Sequence, residues 1–354
     1  MTARPDRSFL ASGGWVLALA VLLVAVVFSF HVVALMGKRS RAIGDGSDPE
    51  SYGFPLEPSL LPAGSLVAGG VPKDGIPALV DPPVRTAAEL TEAAARSRRG
   101  KYLVDSDRVI GVEIGGASRA YPLRLLVWHE VVNDRLGGRA VAVTYNPLCD
   151  SAVVIDRRVG ADTLTFGVSG LLFNSNLLMY DRRTSPAAES LWSQLLLRAV
   201  TGPAAAVGAR LEALPFALVT WGDWRAARPD TTVVVPEPGK GSKYKREPYV
   251  SYFGNDSLRF PVQLPPGEQG RTRKQPVVVL ADGAGWLAVP YSAVERAPGR
   301  TLIRTVAGRE VTLIWRDRPP RVAVTAAGGP PPLALYTFRF AWRAIHPDDT
   351  VWAE

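Results

Sequence analysis

Cysteine and histidine are scarce in this sequence. Its 354 residues include one cysteine, Cys149, and three histidines, His31, His129 and His346. A single cysteine excludes an intramolecular disulfide, and three dispersed histidines exclude a zinc site built from several imidazoles. Any thiol or metal chemistry therefore depends on Cys149, acting alone or together with oxygen ligands.

The chain also lacks a concentrated block of positive charge. Its formal net charge of +8 arises mostly from arginines spread along the whole sequence, and no basic segment is interleaved with aromatic residues. No motif of a nucleic-acid-binding fold accompanies this charge, so no nucleic-acid partner is expected. Hydrophobic residues make up 47% of the chain and charged residues 21%, a composition that predicts one to three globular units.

One long apolar run is present near the N-terminus. Residues 15–36 are apolar apart from Ser29 and His31, and they approach the roughly 20 residues that a helix needs to cross a bilayer. The run is longer than the core of a cleaved signal and has no Ala-x-Ala end, so it predicts an uncleaved transmembrane anchor. Residues 1–14 form a tail before it, and residues 37–65 form a linker rich in Gly, Pro, Ser and Asp. Basic residues flank both ends of the run, so charge counting does not favour an outward orientation.

Most of the reactive side chains lie in one stretch of the chain. Apolar residues at helical spacing predict a short helix over 122–133. Residues 141–156 then predict a β-hairpin, because two β-branched runs are joined by Asn-Pro-Leu-Cys-Asp. Cys149 lies at the tip of this hairpin, and His129 and Glu130 lie at the end of the helix. A helix followed by a hairpin is able to bring the imidazole, the carboxylate and the thiol into one pocket.

Two parts of the chain repeat one another. Residues 224–233 and 342–351 share the pattern Trp-Arg-Ala-x-x-Pro-Asp-x-Thr-Val. The hairpin at 138–156 also aligns with 308–326, where Gly-Arg again opens the first strand and a turn of the same length leads to the second. This internal similarity predicts a duplicated module.

The second copy lacks the reactive residues of the first. Pro319 occupies the position that corresponds to Cys149, and no His-Glu pair is present in the second copy. The first repeat, residues 66–236, is therefore predicted to carry the site, and the second, residues 237–354, only the scaffold. The predicted fold is a β-rich α+β fold of two pseudo-repeated antiparallel sheet units with short helices, preceded by the transmembrane helix. Further short helices are predicted at 87–98, 221–228, 291–297 and 341–346.

A polar segment of the first repeat completes the predicted site. Turn chemistry and strand alternation account for its polar residues about as well as a binding site does. We predict one concave pocket because the second repeat has no equivalent of these residues. The substrate-binding residues of that pocket are predicted to be Asn133, Asn174, Asn176, Tyr180, Asp181, Trp192, Ser193 and Gln194.

Four residues are predicted to carry the chemistry of that pocket. Cys149 would act as a nucleophile or ligand, and His129 as its base or co-ligand. Glu130 would orient the imidazole. Arg182 would hold a small anionic substrate or stabilise the thiolate.

Several motifs together resemble a known family. They are Gly-Val-Pro-Lys-Asp-Gly-Ile-Pro from residue 70, Trp-His-Glu-Val-Val-Asn-Asp from residue 128, Pro-Leu-Cys at 147–149 and Leu-Trp-Ser-Gln at 191–194. Over roughly residues 66–354 the sequence resembles a mainly bacterial domain-of-unknown-function family, number three-one-seven-nine, sometimes labelled as (seleno)proteins. The label implies redox use of a Cys-Pro-Leu-Cys-Gly loop, and the resemblance suggests exported members. Here Asn146 and Asp150 replace the first cysteine and the glycine of that loop, so a dithiol cycle is excluded.

Three functions fit these residues. The first is a single-thiol redox enzyme in which Cys149 works with His129 and an external thiol resolves the oxidised sulfur. The second is a mixed metal site of Cys149, His129 and one oxygen ligand. The third is a non-enzymatic binding or assembly module, held at the membrane through residues 15–36 with its body outside the cytoplasm. The sequence identifies no cofactor and no metal.

Overall fold

The computed structural model divides the chain into two compact units, Met1–Ile43 and Gly44–Glu354. The residues that it describes are 14–39, 42–96, 101–237, 241, 243–268, 272–283 and 285–351. The predicted tail over 1–14 lies outside the described residues except for its last residue.

The first unit contains helix α1, Gly14–Arg39. Its side chains are described from Trp15 to Phe30, and the large apolar ones are at least half exposed. The side chains of the predicted anchor beyond residue 30 lie outside the described part. Among the helices that are described, none combines the length and the apolar character needed to cross a membrane.

The second unit is a β-rich α+β fold with several sheets and short helices. Its strands are β1 (Leu66–Ala68), β2 (Leu79–Val80), β3 (Val84–Thr86), β4 (Arg108–Ile114), β5 (Ala117–Pro122), β6 (Val131–Leu136), β7 (Arg139–Asn146), β8 (Ser151–Asp156), β9 (Arg158–Val159), β10 (Asp162–Thr163), β11 (Phe166–Phe173), β12 (Asn176–Asp181), β13 (Leu191–Ser193), β14 (Arg198–Thr201), β15 (Ala217–Thr220), β16 (Thr232–Val234), β17 (Pro276–Asp282), β18 (Gly285–Pro290), β19 (Thr301–Val306), β20 (Arg309–Asp317), β21 (Pro320–Ala326), β22 (Ala334–Phe338) and β23 (Thr350–Val351). Its helices are α2 (Ala87–Arg96), α3 (Leu123–Leu126), α4 (Gly202–Ala206), α5 (Trp221–Ala227), α6 (Val250–Phe253), α7 (Tyr291–Arg296) and α8 (Arg339–Ile345).

The described strands form three larger sheets and two small ones. The largest sheet has the order β2-β6-β7-β8-β22-β17-β18-β23. A second has the order β1-β11-β12-β13-β14, and a third β15-β4-β5-β16-β3. Strands β19, β20 and β21 form a separate meander, and β9 and β10 a short ribbon.

The helix predicted over 122–133 is wrong in its second half. Helix α3 ends at Leu126, and the chain turns so that Val131 begins β6. The β-branched pair Val131 and Val132 fits a strand better than a helix, and β6 pairs with β7 along its whole length. The predicted hairpin over 141–156 is confirmed as β7 and β8.

Strands β6, β7 and β8 lie at the centre of the unit with both faces buried. Val131 and Val153 pack into one hydrophobic cluster. Val132 and Val154, their neighbours along the strands, pack into a second cluster on the opposite face. Burial on both faces explains why these strands read as nearly continuous apolar runs.

Two series of strands in the unit follow the same plan. In one sheet β15, β4, β5 and β16 lie side by side, and in another β22, β17, β18 and β23 lie in the corresponding order. In both series the first three strands are antiparallel and the last pair is parallel. In each series a short helix and a meander follow the two central strands along the chain, α3 and β6–β8 after β5 and α7 and β19–β21 after β18. Strand β8 pairs with β22, so residues of both halves share one sheet.

Candidate functional site

Glu130 occupies the sharp turn between α3 and β6. Its N–H donates to the carbonyl of Leu126 over 2.7 Å, and its own carbonyl accepts from the N–H of Tyr145, 2.8 Å away. Its φ of 56° lies in the left-handed region, which is uncommon for a residue with a Cβ. Such a conformation persists only where surrounding contacts enforce it, and here the hydrogen bond to β7 does so.

The side chain of Glu130 lines an apolar cavity of about 170 Å³. The residue is only 5% exposed. Among the described residues, none forms an ion pair or a hydrogen bond with its carboxyl group. The other lining residues that matter here are Leu148, Leu171, Leu172, Leu177, Tyr249 and Arg259.

Burial raises the pKa of Glu130 from 4.5 to about 8. The cause is desolvation, because apolar walls do not replace the water that solvates a carboxylate. At neutral pH the group is therefore mostly protonated and presents a hydrogen-bond donor to the cavity. A carboxyl with a pKa this close to neutrality is able to give or accept a proton under physiological conditions.

Arg259 places a positive charge at the exposed side of the same cavity. Its guanidinium lies over the rings of Tyr249 and Tyr252, with centroid distances of 4.8 and 5.0 Å. Tyr252 is in turn fixed by a hydrogen bond of 2.8 Å from its hydroxyl to the carbonyl of Leu148. The two rings hold Arg259 in place without neutralising its charge.

His129 is held by two oxygen atoms rather than by Glu130. Its Nδ1 lies 2.6 Å from the carbonyl oxygen of Pro77, and its Nε2 lies 2.7 Å from the hydroxyl of Tyr244. Because a carbonyl only accepts, Nδ1 carries a proton. In this structure Pro77 and Tyr244 therefore orient the imidazole, which is the role predicted for Glu130. The Glu130 carboxyl lines the cavity instead.

Cys149 is enclosed where two hairpin tips meet. Its Sγ donates to the carbonyl of Ser175, 3.3 Å away in the turn between β11 and β12, and its N–H donates to Asn146 Oδ1 over 3.2 Å. The residue is completely buried, and burial raises the pKa of the Cys149 thiol. The thiolate is thus disfavoured, whereas a nucleophilic or redox-active cysteine needs it.

A buried hydrogen-bond network lies next to Cys149. Gln194 Oε1 accepts from Ser151 Oγ over 2.6 Å and from Asn176 Nδ2 over 2.9 Å. Gln194 Nε2 donates to Thr144 Oγ1 over 2.9 Å. These side chains bond to one another between the two hairpins, and within the described residues only the Asn176 Oδ1 of this network has no hydrogen-bond partner.

Asn133 and Asn174 connect separate parts of the backbone. Asn133 exchanges two hydrogen bonds with the backbone of Phe166, both of 2.8 Å. Asn174 donates to the carbonyl of Ala344 over 2.9 Å and accepts from the N–H of Gln263 over 2.9 Å. Both amides therefore act as structural links in this geometry.

Tyr180 and Arg182 share one carboxylate near the surface. The Tyr180 hydroxyl donates to Asp74 over 2.6 Å, and Arg182 forms an ion pair of 2.7 Å with the same side chain. Asp181 points elsewhere, where it pairs with Arg183 over 2.6 Å. Arg182 thus has a carboxylate partner in place of the substrate or thiolate that the sequence suggested.

The predicted residues occupy separate surroundings rather than one pocket. Glu130 lines the cavity with Arg259, whereas Asp181 and Trp192 line a different cavity of about 420 Å³. Ser193 accepts a hydrogen bond from the backbone of Leu196. The physical reason is that most of these polar side chains find a hydrogen-bond partner of their own within the fold, the Glu130 carboxyl and the Trp192 indole N–H being exceptions among the described residues.

No metal site appears among the residues that the structure describes. None of their His, Cys, Asp and Glu side chains form a group of three that could hold an ion. His346 stacks on Trp342 with a centroid distance of 4.0 Å.

The second half contributes residues to the cavity, contrary to the prediction that it carries scaffold alone. Tyr249 and Arg259 lie between residues 243 and 262, a segment with no counterpart in the duplicated pattern. The signal that could have identified it is its concentration of aromatic residues around an arginine, Tyr244, Tyr249, Tyr252, Phe253, Arg259 and Phe260.

Comparison with known proteins identifies one family. The model of the family described as Protein of unknown function (DUF3179) matches residues 73–329. No curated protein and no solved structure matches the chain significantly. The matched span contains Glu130, Cys149, Tyr249 and Arg259, so both hairpin tips and most of the cavity lining lie within it. The chain belongs to this family of proteins of unknown function.

Proposed function

We propose that this chain is a binding module for a small molecule and that the ligand occupies the Glu130 cavity. The observation that carries the proposal is a buried carboxyl group that faces an apolar cavity and has no partner among the described residues. An unpaired buried carboxyl is unfavourable for folding, and such groups are concentrated at functional sites. Of the three functions that fit the sequence, this proposal extends the binding module.

The cavity sets the character of the ligand. Its volume of about 170 Å³ is close to the roughly 150 Å³ of an apolar protein cavity that binds benzene. The part of the ligand inside it is therefore apolar and comprises about six carbon atoms. Protonated Glu130 adds a hydrogen-bond donor there without adding charge, and the apolar group binds best while Glu130 is neutral.

Binding is tested by NMR on the full chain in lipid nanodiscs with labelled leucine methyl groups. Benzene is the probe, and empty nanodiscs correct for its partition into lipid. We expect saturable shifts at the methyl groups of Leu171 and Leu177, and their loss in Leu172→Phe, which fills part of the cavity. Shifts that do not saturate, or that persist unchanged in the filled variant, would contradict the proposal.

Thiol redox chemistry has less support than binding. The buried Cys149 thiol donates to the Ser175 carbonyl, and its raised pKa keeps it protonated. A mixed Cys149 and His129 metal site has no support from the described ligand groups. An oxidant or metal would have to open the contact between the two hairpin tips before it reached the sulfur.

Membrane attachment through residues 15–36 is part of the proposal. The proposal is supported by the apolar surface of α1, whose large side chains from Trp15 to Phe30 are at least half exposed. A continuous apolar surface of this kind is normally covered by lipid or by another protein surface. The body is placed outside the cytoplasm because the family resemblance suggests exported members and because a lone cysteine is compatible with an oxidising compartment.

Fractionation tests this attachment. We expect the full chain to resist alkaline extraction from membranes, and the double substitution Val21→Arg and Val24→Arg to release it, because each arginine at a helix centre costs about 3 kcal/mol of insertion free energy. A reporter fused after Glu354 should be active outside the cytoplasm. Alkaline extraction of the wild-type chain would refute membrane attachment. A reporter active only in the cytoplasm would refute the location of the body outside it.

The two series of strands are proposed to be copies of one ancestral module. Their common order and directions support this, as does the shared pattern at 224–233 and 342–351. An experimental structure in which the hairpins at 138–156 and 308–326 occupy unrelated places in the two series would refute the duplication.

A further inference from the structure

A surface groove adjoins the Glu130 cavity. It has a volume of about 670 Å³ and is formed by the segment 258–264 together with Arg273. Arg259 and Phe260 line both the cavity and the groove. The cavity and the groove therefore lie on either side of Arg259 and Phe260.

The groove is built on the hairpin tip that encloses Cys149. Ser175 Oγ donates to the carbonyl of Phe260 over 3.2 Å, and Asn174 Oδ1 accepts from the N–H of Gln263 over 2.9 Å. Leu258, Phe260 and other apolar side chains of the segment pack against the core. These contacts fix the groove wall in place although the segment belongs to no sheet.

The groove carries two arginines without acidic partners. Among the described residues, none forms an ion pair or a side-chain hydrogen bond with Arg259 or Arg273. The carboxylate of Asp256 accepts hydrogen bonds from the backbone N–H groups of Arg273 and Lys274. Lys274 Nζ itself donates to backbone carbonyls of Tyr252 and Asn255.

Some other arginines of the unit have carboxylate partners. Arg339 forms two hydrogen bonds with Glu268, and Arg108 forms two with Asp150. A single exposed arginine in solvent is ordinary, but two unpaired guanidinium groups on the walls of one groove create a local positive potential. A guanidinium recognises carboxylate and phosphate oxygens through paired hydrogen bonds.

We infer that the ligand is a small amphipathic anion, with an apolar group of about six carbons in the Glu130 cavity and a carboxylate or phosphate group on Arg259 and Arg273. This inference rests on the proposed function and adds the charge and the orientation of the ligand. The apolar group is assigned to the cavity because Leu171 and Leu177 are among its lining residues, and the anionic group to the groove because both arginines line it.

The test compares four probes on the full chain in nanodiscs, with empty nanodiscs as the partition control. Octanoate and octyl phosphate have both parts of the ligand, 1-octanol has only the apolar part, and butyrate has the charge on a chain too short to fill the cavity. We expect octanoate and octyl phosphate to bind saturably and to shift the Leu177 methyl signals. Octanol should bind about a hundredfold more weakly, because it loses a charge-assisted contact with each of the two arginines, worth about tenfold apiece.

Substitutions separate the two arginines from the cavity. Arg259→Gln and Arg273→Gln should each weaken octanoate binding by about tenfold and weaken octanol binding by a clearly smaller factor. Arg316→Gln, which alters an exposed arginine on β20, is the matched control and should change neither.

Each alternative result has a definite meaning. Equal affinity for octanoate and octanol, unaffected by either arginine, would overturn the inference but leave the neutral binding site. If butyrate binds as tightly as octanoate and does not shift the signals of the Leu177 methyl groups, the groove is an anion site independent of the cavity. That result would also overturn the inference. Absence of benzene binding as well as octanoate binding would remove the proposed function itself.

Discussion

Replacing Glu130 with glutamine should change how the stability of the protein depends on pH. Glutamine has nearly the same shape but cannot ionise. Because the pKa of Glu130 is raised from 4.5 to about 8 by burial, the folded state keeps a proton that the unfolded chain loses above about pH 4.5. Unfolding of the wild-type chain in this range therefore releases a proton.

The sign and size of the effect follow from this difference. The contribution of Glu130 to the free energy of unfolding is fully present below about pH 4.5, falls as the pH rises, and is lost once the pH passes about 8. At about 1.4 kcal/mol for each pH unit, the total change is on the order of 5 kcal/mol. Glu130→Gln has no such change, so the variant should gain stability relative to the wild type as the pH increases.

Urea unfolding of both proteins at several pH values between about 5 and 9 measures the difference. The titrating groups that the two proteins share contribute equally to both free energies of unfolding. The difference between the two free energies therefore isolates the contribution of Glu130. Glu310→Gln, at an exposed glutamate, is the control for the effect of the Glu-to-Gln change itself. A difference between wild type and Glu130→Gln that does not vary with pH would mean that the carboxyl is solvated in the folded state, and the reasoning about the cavity would fail.

Three other predictions concern the surrounding fold. Gln194→Leu should lower the free energy of unfolding by about 3 kcal/mol in urea titration, because it leaves several buried polar partners unsatisfied; a loss under about 1 kcal/mol would contradict the network. Gly111→Ala should destabilise by about 2 kcal/mol, because its Cβ would lie 2.3 Å from the ring of Trp224, whereas Gly285→Ala, with no neighbour closer than 3.9 Å, should be nearly neutral. Cys149 should react with a thiol reagent much more slowly in the folded protein than in urea, and equal rates would show that the hairpin tips do not enclose it.

The local sequence was enough to predict much of the fold. Alternating and continuous apolar runs predicted the hairpin over 141–156, and helical spacing predicted short helices near 221–228 and 291–297. The helix over 122–133 was overextended because Val131 and Val132 fit a helical apolar pattern equally well. Pairing of β6 with β7 decides their conformation, and that pairing is a long-range property of the folded chain.

The candidate site was predicted less completely. Glu130 was identified as chemically important, but its role was assigned from its position beside His129 in the sequence. Adjacent side chains need not face the same way, and the left-handed turn at Glu130 directs it to the cavity while His129 contacts Pro77. Arg259 was missed because its approach to Glu130 depends on tertiary packing of a segment without a regular secondary structure.

The state of the Glu130 carboxyl is the central claim, and it can be observed directly. Carbon NMR of the full chain with glutamate labelled at the side-chain carboxyl, assigned by comparison with Glu130→Gln, follows its titration. We predict a midpoint at about pH 8, and a further rise when octanoate occupies the cavity, since the ligand removes remaining water and disfavours the carboxylate. A midpoint near 4.5, unchanged by octanoate, would contradict both the buried acid and the ligand site built around it.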